Sequence, residues 1–130
     1  MELNMAKALG VGGIFFKSKD PKALLAWYKE WLRIPSDFPS HAMFPPTAMP
    51  PSACTVFSPF PADTDYFGPS SQPFMLNLVV DSLTEALGQV AAGGATIVGD
   101  AQSSEIGSFG WFLDPDGNKV ELWEPAVPSS

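Results

Sequence analysis

The chain has 130 residues, 45% of them hydrophobic, which is enough for one sizeable core and too few for two independent domains. Seven basic against fourteen acidic residues leave a net charge of −7, a balance that repels phosphate backbones and argues against nucleic acid as a partner. The N-terminus lacks a basic start followed by a long apolar run, and no stretch reaches the roughly 18 uninterrupted apolar residues of a membrane span, so a cytoplasmic protein with no membrane partner is expected.

The first element in chain order is IFFKS, residues 14–18, a β-branched and aromatic strand pattern that stops at Asp20-Pro21, an N-cap followed by proline in the first helical turn. In PKALLAWYKEWLRI the apolar residues Leu24, Leu25, Trp27, Tyr28, Trp31 and Leu32 recur at spacings of three and four, which predicts a helix ending near Arg33, before Pro35. Its apolar face should pack on a sheet. Six prolines between Pro35 and Pro51 then allow only a short, interrupted or edge strand. ACTVF follows, and its Cys54, the only cysteine, reads as a small buried strand residue and excludes an intrachain disulfide. The proline, glycine and serine content of residues 58–73 marks a connector.

The order then repeats. MLNLVV, residues 75–80, is a second strand, Asp81-Ser82 a second cap, and LTEALGQVAAGG a helix stopped by Gly93 and Gly94. The repeat begins 62 residues after the first, Leu83 against Pro21. ATIVG leads to SFGWFL, the cluster Asp114-Pro115-Asp116-Gly117-Asn118 supplies hairpin turn chemistry, and KVELWE closes a β-α-β-β-β unit. One domain over residues 1–130 is expected, with module one at about 10–57, the linker at 58–73 and module two at about 74–125.

Two such units in tandem, the segment GIFFKSKDPKALLAWYKEWLRIP, a VDSL strand-to-helix junction and the ending FLDPDGNKVELWEP resemble the vicinal oxygen chelate superfamily, the group of glyoxalase I, bleomycin resistance proteins and extradiol dioxygenases. The resemblance implies an α+β fold in which two tandem βαβββ modules form a cupped, barrel-like mixed sheet with helices outside. It also implies divalent-metal ligands on the first and last strands of each module. Counting back eight residues from Pro21 and from Leu83 places the first-strand positions at Gly13 and Met75, and the prolines of TVFSP and ELWEP align Thr55 with Glu121. Only Glu121 is a good ligand, and a catalytic zinc site normally needs three. The one histidine, His41, lies off these positions and reads as a surface or edge residue. No resident cofactor is therefore expected, a weak divalent metal at Glu121 remaining the alternative.

Strand alternation sends Val120 and Leu122 to the helix layer and Lys119, Glu121 and Trp123 to the cup. The same rule sends Gly13, Phe15 and Lys17, with Met75, Asn77 and Val79, to the cup, and Ile14 and Phe16, with Leu76 and Leu78, to the core. In SFGWFL, Phe109, Trp111 and Leu113 share a face that periodicity leaves unassigned. The expected ligand-binding residues are Phe15, Lys17, Thr55, Met75, Asn77, Trp111, Glu121 and Trp123, a mixture suited to a planar or partly apolar small molecule. A filled interior, with Lys17 and Glu121 paired or wet, is the alternative for the same residues. No catalytic residues are identified. Three functions follow: metal-independent binding of a small-molecule ligand, metal-dependent lyase, isomerase or dioxygenase chemistry through Glu121, or a scaffold without a ligand. A homodimer is expected in each, because cupped halves leave open edges.

Overall fold

A computed structural model of the chain describes residues 5–36 and 40–127. Helix α1 spans Pro21–Leu32 because the Asp20 carboxylate caps it, accepting from the Ala23 amide at 3.1 Å, and Pro21 occupies the first turn. It stops at Arg33, whose φ of 51° takes the left-handed C-cap conformation. Helix α2, Leu83–Ala92, is capped twice: Ser82 Oγ accepts from the Glu85 amide, and Glu124 Oε1 accepts from the Leu83 amide at 2.8 Å. The second cap comes from a neighbouring strand, so it ties helix to sheet as well as satisfying an orphan donor.

Five strands follow the order of the second module: β1 Leu76–Val79 before α2, then β2 Thr96–Ile97, β3 Gln102–Ser104, β4 Gly107–Leu113 and β5 Lys119–Pro125. The sheet order is β1-β5-β4-β2, with β3 also on β4. β1 runs parallel to β5, and β4 pairs antiparallel with β5, β2 and β3. The β4–β5 hairpin is closed by the Asp114 turn, in which Gly117 takes φ 81° and the buried Asp114 carboxylate accepts from the Asp116 and Asn118 amides and from Asn118 Nδ2, each at 2.9 Å.

Both helices cover one face of this sheet. Leu24 and Tyr28 of α1, Leu83, Ala86 and Val90 of α2, and Phe112, Val120 and Leu122 of the hairpin form the core, the last three fully buried. At about 25 cal/mol per Å² of apolar surface removed from water, these side chains supply the main stabilisation of the fold. Trp27 Nε1 donates to the Gly93 carbonyl and Gln89 Nε2 to the Trp31 carbonyl, so the helices are pinned to each other at their ends. Gly110 lets α2 lie close, since a Cβ there would sit 2.9 Å from Leu87. Tyr28 reaches past the core to donate to Asp114 Oδ2 at 2.8 Å, joining the first-half helix to the second-half turn.

The expected α+β class, with helices on a mixed sheet, holds, and so does the inward direction of Val120 and Leu122; module two has one strand more than the expected β-α-β-β-β, the short β3 at Gln102–Ser104. The sheet is not closed into a barrel. The first module departs from expectation. Among the described residues α1 is its only regular element, and residues 14–18 and 55–57 form no strand. Ile14 and Phe16, expected in the core, are 57% and 39% exposed, and Cys54, expected buried, is exposed. The physical reason is the lack of a neighbour: a strand is held by its ladder, and the proline-rich stretch that should supply one lacks amide donors. Part of that stretch, residues 37–39, lies outside the described residues.

Candidate functional site

The sheet face turned away from the helices is organised around Glu121. In register, Glu121 of β5 lies between Asn77 of β1 and Trp111 of β4, so side chains from three adjacent strands converge on one carboxylate. Asn77 Nδ2 donates to Oε1 at 2.7 Å, and Trp111 Nε1 donates to Oε2 at 2.9 Å. A third donor arrives from the connector: Tyr66 Oη donates to Oε2 at 2.7 Å. Glu121 is half-buried, and the donors orient it as a fixed acceptor. Burial and the hydrogen bond to Glu121 push the Tyr66 phenol up to about 12.

Aromatic rings surround this group. Tyr66 meets Trp111 edge-on with centroids 6.4 Å apart, and Phe60 stacks on Tyr66 at 5.7 Å. Phe109 stacks on Trp123 at 6.0 Å with planes 3° apart, and Trp123 Nε1 is anchored on the Ile106 carbonyl. Lys119, 7% exposed, donates to the Tyr66 carbonyl at 2.6 Å and lies 5.0 Å from the Tyr66 ring centroid and 5.9 Å from that of Trp111. Tyr66, Gln102, Ser103, Ser104, Phe109, Trp111 and Glu121 line an open cleft of about 340 Å³. Its walls are rings, its rim is hydroxyl and amide, and its charged lining group is Glu121.

Of the expected site residues, Asn77, Trp111 and Glu121 come together, and Trp123 supports the cleft from behind Phe109. Phe15 is 96% exposed, Thr55 is exposed and Met75 half-buried, and none of the three lines the cleft. Lys17 sits at a separate polar hollow with Ser18, Lys19, Gln72 and Asp116, where Ser18 Oγ donates to Asp116. Strand alternation sends Phe15 and Lys17 to the cup and the proline alignment sends Thr55 there, but their segments are not strands, and Met75 lies just before the start of β1. Tyr66, Phe109, Lys119 and the β3 residues are additions. Alternation with Trp111 and Glu121 points to Phe109 and Lys119, whereas nothing in a proline-rich connector marks Tyr66.

The donor set does not fit a divalent metal. Among the described residues no three histidine, cysteine, aspartate or glutamate side chains cluster. The hydrogens of Asn77, Tyr66 and Trp111 also point at the Glu121 lone pairs a cation would use, and Trp111 offers no lone pair in their place.

A family model described as glyoxalase-like domain matches residues 13–123. No curated protein matches the chain. Among solved structures, a member of the glyoxalase/bleomycin resistance protein/dioxygenase superfamily from Sphaerobacter thermophilus is 28% identical, with a TM-score of 0.35, over 38% of this chain and 40% of that one. A glyoxylase/bleomycin resistance protein/dioxygenase domain from Frankia sp. EAN1pec is 17% identical over 95% of this chain and all of that one, with a TM-score of 0.49. A glyoxalase-related enzyme from Fulvimarina pelagi is 16% identical over 94% of each chain, with a TM-score of 0.47.

Proposed function

The chain belongs to the glyoxalase-like domain family, within the vicinal oxygen chelate superfamily, and from that premise we propose that it is a metal-independent small-molecule-binding protein. The observation that carries this reading is the Glu121 carboxylate, held by three neutral donors in the wall of an aromatic cleft. A carboxylate has about four acceptor sites, so three donors leave capacity for one more. The ligand that fits is planar and partly apolar, lies against Trp111, Phe109 and Tyr66, and presents a hydrogen-bond donor to Glu121. We place the protein in the cytoplasm as a homodimer, whose interface would cover apolar side chains such as Ile14, Phe15, Val56 and Phe57, all more than half exposed.

Calorimetric titration with Ni²⁺, Zn²⁺, Mn²⁺ and Fe²⁺, beside a thermal-shift screen of planar amidines, aromatic diols, thiol conjugates and cationic antibiotics, tests this. The expected result is no tight stoichiometric metal and a rise in Tm with one planar class, worth about 2.7 kcal/mol at a ligand concentration of 100 Kd. Glu121→Gln should remove that rise. Tight metal lost in Glu121→Gln would overturn the proposal in favour of a metal-dependent lyase, isomerase or dioxygenase. If no compound shifts Tm and Glu121→Gln leaves it unchanged, a scaffold without a ligand is the better account.

A further inference from the structure

The connector does more than join two modules. Residues 58–70 are preassembled by short-range contacts: the amides of Thr64, Gly68 and Ser70 donate to the carbonyls of Pro61, Asp65 and Phe67 at 3.0–3.1 Å, and Phe60 packs against both Tyr66 and Phe67. Such a segment can shift as a unit, because its own turns do not depend on the sheet. Its attachment to the sheet is narrow. Among the described residues both hydrogen bonds between this segment and the sheet pass through Tyr66, one from its hydroxyl to Glu121 and one to its carbonyl from Lys119. The Lys119 ammonium also lies over the Tyr66 ring, so the three contacts make or break together.

A planar donor that bridges both carboxylate oxygens finds a spare acceptor site on Oε1 and none on Oε2, where the Tyr66 hydroxyl sits. Glu121 Oε2 already accepts from Trp111 and Tyr66, whereas Oε1 accepts from Asn77. Trp111 and Asn77 sit on strands whose ladder fixes their backbones beside Glu121. Tyr66, 38% exposed, sits on a segment without ladder bonds, so its backbone can move away with its side chain. Resting on the reading of this cleft as a ligand site, we infer that residues 58–70 are a strap latched across it by Tyr66, and that a ligand carrying a planar N–H donor, of the amidinium or aromatic amine class, reaches Glu121 by displacing the phenol.

Benzamidine is the probe. Hydrogen exchange by mass spectrometry on wild type, Tyr66→Phe and Lys119→Met, each with and without benzamidine, reads the latch; calorimetry on the same samples reads affinity. Both variants should speed exchange across 60–69 several-fold while peptides over 107–125 stay as protected as in wild type. Benzamidine should speed exchange across 60–69 in wild type, and it should bind Tyr66→Phe roughly 3-fold to 10-fold more tightly, the size of one part-exposed hydrogen bond no longer in competition. Unchanged exchange in both variants overturns the strap, as does benzamidine binding Tyr66→Phe no more tightly than wild type. If the variants loosen the strap but benzamidine binds no form, the displacement step and the proposed ligand class fall together. Equal binding to all forms removes the strap alone.

Discussion

The two halves of the chain carry the same opening pattern, a β-branched strand, an aspartate or serine cap and an amphipathic helix, and they fold differently. In the second half, MLNLVV becomes β1 because β5 lies beside it, in parallel register from Leu76↔Val120 to Val79↔Trp123. In the first half, IFFKS has equal β-propensity and stays without a ladder. The helices form in both halves because a helix satisfies its own backbone, whereas a strand needs a second strand. The difference shows that strand formation here is a property of pairs, with the hairpin strands β4 and β5 at the centre of the sheet and the other strands paired to them.

The largest loss of stability is expected in the hairpin. Phe112→Ala removes a fully buried ring from between the two helices and the sheet, and should cost about 3–5 kcal/mol, read as the shift in the urea unfolding midpoint at constant slope. Phe15→Ala, the same change on a 96% exposed side chain, should stay within about 0.5 kcal/mol. A Phe15→Ala cost above about 2 kcal/mol, as for a buried side chain, would mean that the first-half segment packs in solution, against this chain or a second copy.

Tyr28→Phe tests the one fully buried side-chain hydrogen bond that links the halves among the described residues. Its phenol donates to Asp114 and is held well above the usual tyrosine range, first by burial and then by the Asp114 charge. Losing that hydroxyl should cost about 1–3 kcal/mol, because it leaves a buried carboxylate oxygen with fewer donors. Asn118 Nδ2 remains as its partner, which keeps the cost below that of Phe112→Ala. A neutral result would show that this hydrogen bond adds nothing to the packing and the Trp27 and Gln89 bonds that also join the halves.

What was legible in the sequence follows the same division. Period-3.6 faces and caps located both helices, and period-2 alternation in KVELWEP assigned Glu121 and Val120 to opposite faces, because these signals depend only on each segment's own backbone. Asn77 and Trp111 were legible as residues and became a site through register, which brings both beside Glu121. Gly13, Phe15, Lys17 and Thr55 were assigned by counting along strands whose partners are set by non-local pairing. Tyr66 was not legible at all, since its position depends on turns within a connector and on Lys119, 53 residues away.

The smallest effect expected is also the most specific to the site. Burial first, and then the hydrogen bond to Glu121, push the Tyr66 phenol up to about 12 in the folded chain against about 10 when unfolded, so the protonated phenol contributes stability that is fully present below pH 10. That contribution declines as pH rises through 10 to 12, because the phenolate can no longer donate and faces the Glu121 carboxylate as a like charge. Wild type should therefore lose stability over this range by more than Tyr66→Phe does, and the difference should be small because Tyr66 is 38% exposed and partly screened by solvent. Ultraviolet titration of phenolate absorbance in wild type, Tyr66→Phe and Tyr28→Phe separates the two tyrosines: the step lost in Tyr66→Phe should lie near pH 12, and Tyr28 should titrate only with unfolding. A Tyr66 step near pH 10 would mean that the phenol does not rest on Glu121, and the second half would then hold its carboxylate without help from the connector.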